Sequence, residues 1–210
     1  RSATVVPPPV LTSVANDTIC NNSSKLLNVL STLGDFDNYS WSPTTGLFTD
    51  AAGTIPYTGG NSSSVYVKTT AAATTNYVVT ATNSTGAQCA NTDTVVIRIM
   101  PNPTISATLS ELCVSGTTVL SLTPSTGYAT NSLQWQSSSN GTLYNDIAAA
   151  TSTTYNTPTL TNTTYYKMVI KDAGSTICAT APTKIINVNN PSVVNTTPAT
   201  RCGTGTVNIG

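Results

Sequence analysis

One spacing recurs along this chain, and it limits the possible folds more than any single motif. Cys113 follows Cys20 by 93 residues, and Cys202 follows Cys113 by 89. Within that frame Trp41 lies 21 residues after Cys20, and Trp135 lies 22 after Cys113. Tyr77 and Tyr166 each precede a second cysteine, Cys89 or Cys178, by twelve residues. The stretch TTNYVVTATNSTGAQC (Thr74 to Cys89) is answered by TTYYKMVIKDAGSTIC (Thr163 to Cys178). Pro9, Pro103 and Pro191 stand before Cys20, Cys113 and Cys202 at similar distances. A unit of about ninety residues is therefore present in two full copies, a length that suits one small domain each.

Each copy reads as short strands divided by turn residues, the pattern of a β-sandwich. In SLQWQSS (Ser132 to Ser138), Leu133 and Trp135 fall on one face and Gln134 and Gln136 on the other. In TYYKMVIKD, Tyr166, Met168 and Ile170 share a face opposite Lys167 and Lys171. TTVLSLTP, TVVIRIM and TKIINV add further strands, as do KLLNVL, YSW, SVYVK and NYVVTAT in the first copy. Helical periodicity fits none of these segments as well. Composition agrees, because Thr alone makes up about a fifth of the chain and favours a pleated, half-buried surface. The expected fold is all-β: tandem Ig-like β-sandwich modules, end to end. Core positions are assigned to Trp41, Trp135, Tyr77 and Tyr166.

The two ends fit the same frame. RSATVVPPP resembles the tail of TDTVVIRIMPNP, and RCGTGTVNIG resembles LCVSGTTVLSL. The expected organisation is the last strand of a preceding module (residues 1–8), module 1 (9–101), module 2 (102–190), and a joint with the first strand of a third, incomplete module (191–210).

Charge excludes several classes of function. Only 8% of residues are charged and the net charge is zero, so no basic face is available for nucleic-acid phosphates. With hydrophobic residues at 39% in short alternating runs, the chain differs from a disordered one. No apolar run approaches the length of a membrane span. Histidine is absent, which removes the usual general base and the Ser-His and Cys-His nucleophile pairs. Asp35 and Asp37 form the only close acidic pair, and GDFD is read as a turn; Glu111 is read as a solvated turn residue. No catalytic, metal or cofactor-binding residue is assigned, and an enzyme is not expected.

The Cys-x-x-Gly-Thr opening, the Trp about twenty residues on, TTYNTPTLTNTTYY, and the late Ile-Cys before the last strand resemble a known family. They are similar to Ig-like repeats of Bacteroidota cell-surface adhesins, the gliding-motility type included, which leave through the type 9 secretion system. The match is good over residues 101–190 and looser over 9–100, where Asn21 to Ser24 replace the glycine turn. The resemblance implies an extracellular, cell-surface array. It also makes Thr18 and Thr94, in DTI and DTV, candidates for the Asp-Thr-apolar O-glycosylation motif of that phylum.

In an exported protein, cysteines are expected in structural disulfides. The simplest pairing is within modules, Cys20–Cys89 and Cys113–Cys178, with Cys202 left unpaired in this fragment. A second pairing joins neighbours 24 residues apart, Cys89–Cys113 and Cys178–Cys202. The functional expectation is a non-catalytic structural and adhesive segment that extends a long repetitive surface protein and resists load. Its partners would be neighbouring modules of the chain, surface polysaccharide or other surface proteins, with lateral self-assembly open. The alternative is a pair of carbohydrate-binding accessory modules of a secreted polysaccharide-active enzyme. In that case Tyr57, Tyr144 and Tyr155 would add to an exposed aromatic platform.

Overall fold

The computed structural model describes residue 7 and residues 9–84, 89–172 and 174–191. The terminal segments read above as partial modules, Cys202 among them, lie outside these apart from residues 7 and 191. Strands arise where β-branched and aromatic residues alternate with polar ones, and they stop at Gly, Pro and Asn.

The first half builds seven strands: β1 (Asp17–Ile19), β2 (Lys25–Asn28), β3 (Asn38–Ser42), β4 (Leu47–Phe48), β5 (Ser64–Val67), β6 (Thr74–Thr82) and β7 (Ala90–Ile99). They form a four-stranded sheet in the order β1-β7-β6-β3 and a three-stranded sheet in the order β2-β5-β4. The two sheets face one another across a single core that draws Trp41, Tyr77 and Ile97 from one and Leu27, Leu47 and Val65 from the other. The alternation in β7 shows the logic, with Val95, Ile97 and Ile99 buried between exposed Thr94 and Arg98.

The second half builds nine: β8 (Thr104–Ala107), β9 (Glu111–Cys113), β10 (Val119–Thr123), β11 (Leu133–Ser138), β12 (Asn145–Asp146), β13 (Thr154–Asn156), β14 (Thr164–Lys171), β15 (Ile177–Thr180) and β16 (Lys184–Asn189). One sheet runs β12-β11-β14-β16-β9 with β15 also on β14, and the other runs β13-β10-β8. A separate core gathers Leu120, Trp135, Tyr166, Met168, Ile170 and Ile186. TKIINV is not continuous with the strand before it. Pro182 has no N–H to donate, and the ladder along β14 breaks there into β15 and β16.

The two halves repeat a detail that the alternation alone does not predict. A three-residue strand runs parallel to the last strand of its unit, β1 on β7 and β9 on β16. The cysteine that opens the repeat directly follows β1 and ends β9: Ile19 lies opposite Ile99, and Cys113 lies opposite Asn189. Both halves also hold their tryptophan in the same way. The Trp41 indole donates to the Ser62 carbonyl at 3.1 Å, and the Trp135 indole to that of Ser152 at 2.8 Å.

Candidate functional site

The residues with the most chemistry gather at the joint between the two cores. The chain passes from one core to the other between Ile99 and Met100, and the Met100 N–H donates to the Ile19 carbonyl at 2.9 Å. Pro101 and Pro103 follow, both buried. A proline ring fixes φ, so two prolines in three residues stiffen the crossing. Gly127 closes against it with φ +101°, and a Cβ added there would lie 3.1 Å from Pro101 Cδ. Glycine alone suits that backbone and that approach. Clefts of about 370 and 240 Å³ flank the joint, one beside Arg98, Pro101 and Gly127, the other beside Asp17, Cys20 and Lys25. In the second cleft Lys25 Nζ reaches Asp17 at 2.7 Å. Both groups are partly exposed, so the pair contributes at most about 1 kcal/mol.

A disulfide spans this joint. Cys20, at the end of β1, is bonded to Cys178 in β15, with Cα atoms 5.2 Å apart and 158 residues between them in sequence. Both cysteines pack against the second core. This corrects the intramodule pairing, Cys20–Cys89 and Cys113–Cys178, expected from the sequence. The reason is strand direction. Because β1 runs parallel to β7 with Ile19 opposite Ile99, Cys20 sits at the far end of β7 from Cys89, which precedes Ala90. Eleven strand residues separate those levels, about 35 Å, whereas a disulfide needs Cα atoms within about 7 Å. Cys113 is likewise opposite Asn189 at the end of β16, while Cys178 lies in β15 near the opposite end of β14. Nor does the neighbour pairing form: Cys89, half-buried, and Cys113, exposed, are both free thiols, and Cys178 is already engaged.

The aromatic residues do not form a platform. Trp41 and Trp135 are about 1% and 0% exposed. Tyr57 is buried, its hydroxyl donating to the Gly60 carbonyl and accepting from the Trp41 N–H. Tyr155 lies between Trp135 and Tyr166, each ring centroid 6.1 Å away. Tyr144 is half-buried, with the Lys167 ammonium 4.0 Å from its ring centroid and its hydroxyl bonded to that of Thr183. Burial pushes the Tyr166 phenol up to about 12, with the neighbouring Tyr155 adding to it. Burial also raises Tyr77, whose hydroxyl donates to the Thr45 carbonyl at 3.2 Å.

The acids act as clamps within the fold. Asp37 accepts from the Ser84 hydroxyl and amide at 2.7 and 2.9 Å, which holds its carboxyl below the usual range and ties GDFD to the β6–β7 connection. Asp93 accepts from the Ser13 amide and hydroxyl, each at 2.7 Å. Partial burial pushes Asp93 up, but these bonds outweigh it and leave the carboxyl net lowered. Glu111 receives the amides of Asn187 and Asn189 and so fastens β9 to β16. Thr18 is half-buried in β1, and Thr94 is exposed on β7. Among the described residues no group of three His, Cys, Asp or Glu side chains could hold a metal ion. Among them, too, no helix is long and apolar enough to cross a membrane.

Residues 102–190 match the model of a family described as a domain of unknown function, DUF8696. Among curated proteins none matches the chain. Solved structures similar to it include murine CEACAM1b, at 12% identity and a TM-score of 0.39, covering 86% of this chain and 98% of that one. Another is the N-terminal eight Ig domains of Down Syndrome Cell Adhesion Molecule, at 9% identity, TM-score 0.43, and coverage of 86% and 24%. The fibronectin(III)-like modules of Clostridium thermocellum CbhA align at 10% identity, TM-score 0.33, and coverage of 86% and 95%.

Proposed function

We propose that this chain is a non-catalytic structural and adhesive segment of a cell-surface protein, built from tandem sandwich modules at residues 9–101 and 102–190. The observation that carries the reading is the joint. Two separate cores are locked together by a disulfide that closes a 158-residue loop, with buried prolines in the crossing. A bond between modules does little for a binding pocket, but it holds their relative position when the chain ends are pulled. Disulfides belong to oxidising compartments, which supports an extracellular site. The absence of histidine and the use of the acids as internal clamps leave little for a reaction.

On this reading the protein is exported and displayed by a Bacteroidota cell through type 9 secretion, as the resemblance of the repeat suggests. Thr94, exposed on β7, is the better placed of the two glycosylation candidates. An antibody raised against residues 9–190 tests the assignment. It should label intact source cells, and the epitope should vanish when a protease is added outside. Labelling that requires permeabilised cells would overturn it.

A further inference from the structure

The cysteines described here are of two kinds. Cys20 directly follows, and Cys113 ends, the short strand that runs parallel to the last strand of its unit. Ile19 and Leu112, just before them, are buried at 7% and 6% exposure. Cys89 and Cys178 each lie on the return limb of the hairpin made by the long strand, twelve residues after a buried tyrosine. The bond that forms joins a strand-end cysteine of one unit to a hairpin cysteine of the next. What remains is one hairpin thiol in the first unit, Cys89, and one strand-end thiol in the second, Cys113. These are the two halves of the same bond, each lacking its counterpart.

The surface around Cys113 agrees. Cys20 is half-buried under the second unit, whereas Cys113 is exposed and followed by Val114, 60% exposed. Ile177, beside Cys178, is 59% exposed and gives the hairpin an apolar tip of its own.

We propose that Cys113 and Cys89 are the attachment points of a disulfide ladder, in which the strand-end cysteine of every module bonds the hairpin cysteine of the module that follows. Cys113 takes the hairpin cysteine of a following module, and Cys89 takes the strand-end cysteine of a preceding one. Each bond forms from two thiols, which lose two protons and two electrons to a disulfide oxidant, itself reduced to two thiols. The inference rests on the tandem-module reading above. The shortest covalent route along such an array runs 24 residues from a hairpin cysteine to the next strand-end cysteine, as from Cys89 to Cys113, then crosses a disulfide. That route bypasses the bodies of two modules at each step, so unfolding of a module could lengthen the array only by the slack in these 24-residue links.

The test joins two copies of residues 9–190 head to tail, so that Asn190 is followed by Pro9, as it is by Pro191 in the chain. Cys89→Ser in the first copy and Cys113→Ser in the second leave only Cys113 and Cys89 across the new junction, beside two Cys20–Cys178 pairs. After refolding with oxidised glutathione, the expected result is no titratable thiol and a Cys113–Cys89 peptide on non-reducing mapping. Two free thiols alongside intact Cys20–Cys178 peptides would overturn the ladder, as would any other pairing. The readout is independent of where the protein resides in the cell, so failure of the surface assignment and failure of the ladder are separable.

Discussion

Replacing Cys20 by serine removes the bond across the joint, and its effect can be worked from chain lengths. When unit 2 unfolds while unit 1 stays folded, the bond closes a loop from Ile99, where the first core ends, to Cys178, 79 residues on. In the chain-entropy account a loop of that size costs the unfolded state about 4.5 kcal/mol of conformational freedom. At roughly 4–8 °C per kcal/mol for a domain of this size, the midpoint of unit 2 should fall by about 20–35 °C. The assay is thermal and urea unfolding, followed by Trp135 emission in a Trp41→Phe background. Cys20→Ser, Cys178→Ser and the double variant should lose the same amount, because they delete one bond, and reductant added to the parent should reproduce it. Cys89→Ser should stay within about 0.5 kcal/mol of the parent, as a change away from any bond does. Equal losses from Cys89→Ser, or additive losses from Cys20→Ser and Cys178→Ser, would refute the reasoning.

Further outcomes follow from single side chains. Asp93 is held below its ordinary range by Ser13, so its contribution is complete above about pH 4, the unfolded aspartate range, and is lost as pH falls through the folded value. Protection of the Ser13 amide from hydrogen exchange, relative to an unstructured amide at the same pH, should therefore fall below about pH 4, and Asp93→Asn should abolish that pH dependence. Tyr166 titrates near 12, so it stabilises the fold below about pH 10, and that contribution is lost as pH rises from there toward 12. Tyr166→Phe should move the alkaline unfolding transition to higher pH. Both tryptophans are buried, so emission should be blue-shifted and unmoved by added polysaccharide; a saturable shift would favour the carbohydrate-binding alternative.

How far the sequence leads depends on the kind of contact. Alternation around Trp135 and Met168 gives the buried face of β11 and β14 directly, because side-chain direction along a strand is a local matter. The ends of β6 and β7 are equally local, since a hairpin brings its own neighbours together. β1 and β9 escape such a reading. Three residues are too short for a period, and their parallel partners lie about 80 residues away. That omission caused the wrong disulfides: without β1 parallel to β7, nothing shows that Cys20 and Cys89 occupy opposite ends. The repeat misleads in a second way. It displays what the two halves share, while the bond between their cores belongs to neither alone. Tyr57 and Tyr155 are candidates for an exposed platform in the sequence, yet Tyr57 is buried with its hydroxyl on the Trp41 N–H, and Tyr155 packs beside Trp135. A hydroxyl-rich neighbourhood carries no signal of that.

Pulling the chain from its two ends on a force probe tests the central claim, that the Cys20–Cys178 bond carries the load past both cores and keeps them folded. With the Cys20–Cys178 bond intact, tension bypasses the 158-residue loop, and neither module should add its unfolded length to the trace. After reduction, the same pull should release roughly 550 Å of contour from that loop. Sawtooth unfolding of both modules in the oxidised chain, indistinguishable from the reduced one, would contradict the account.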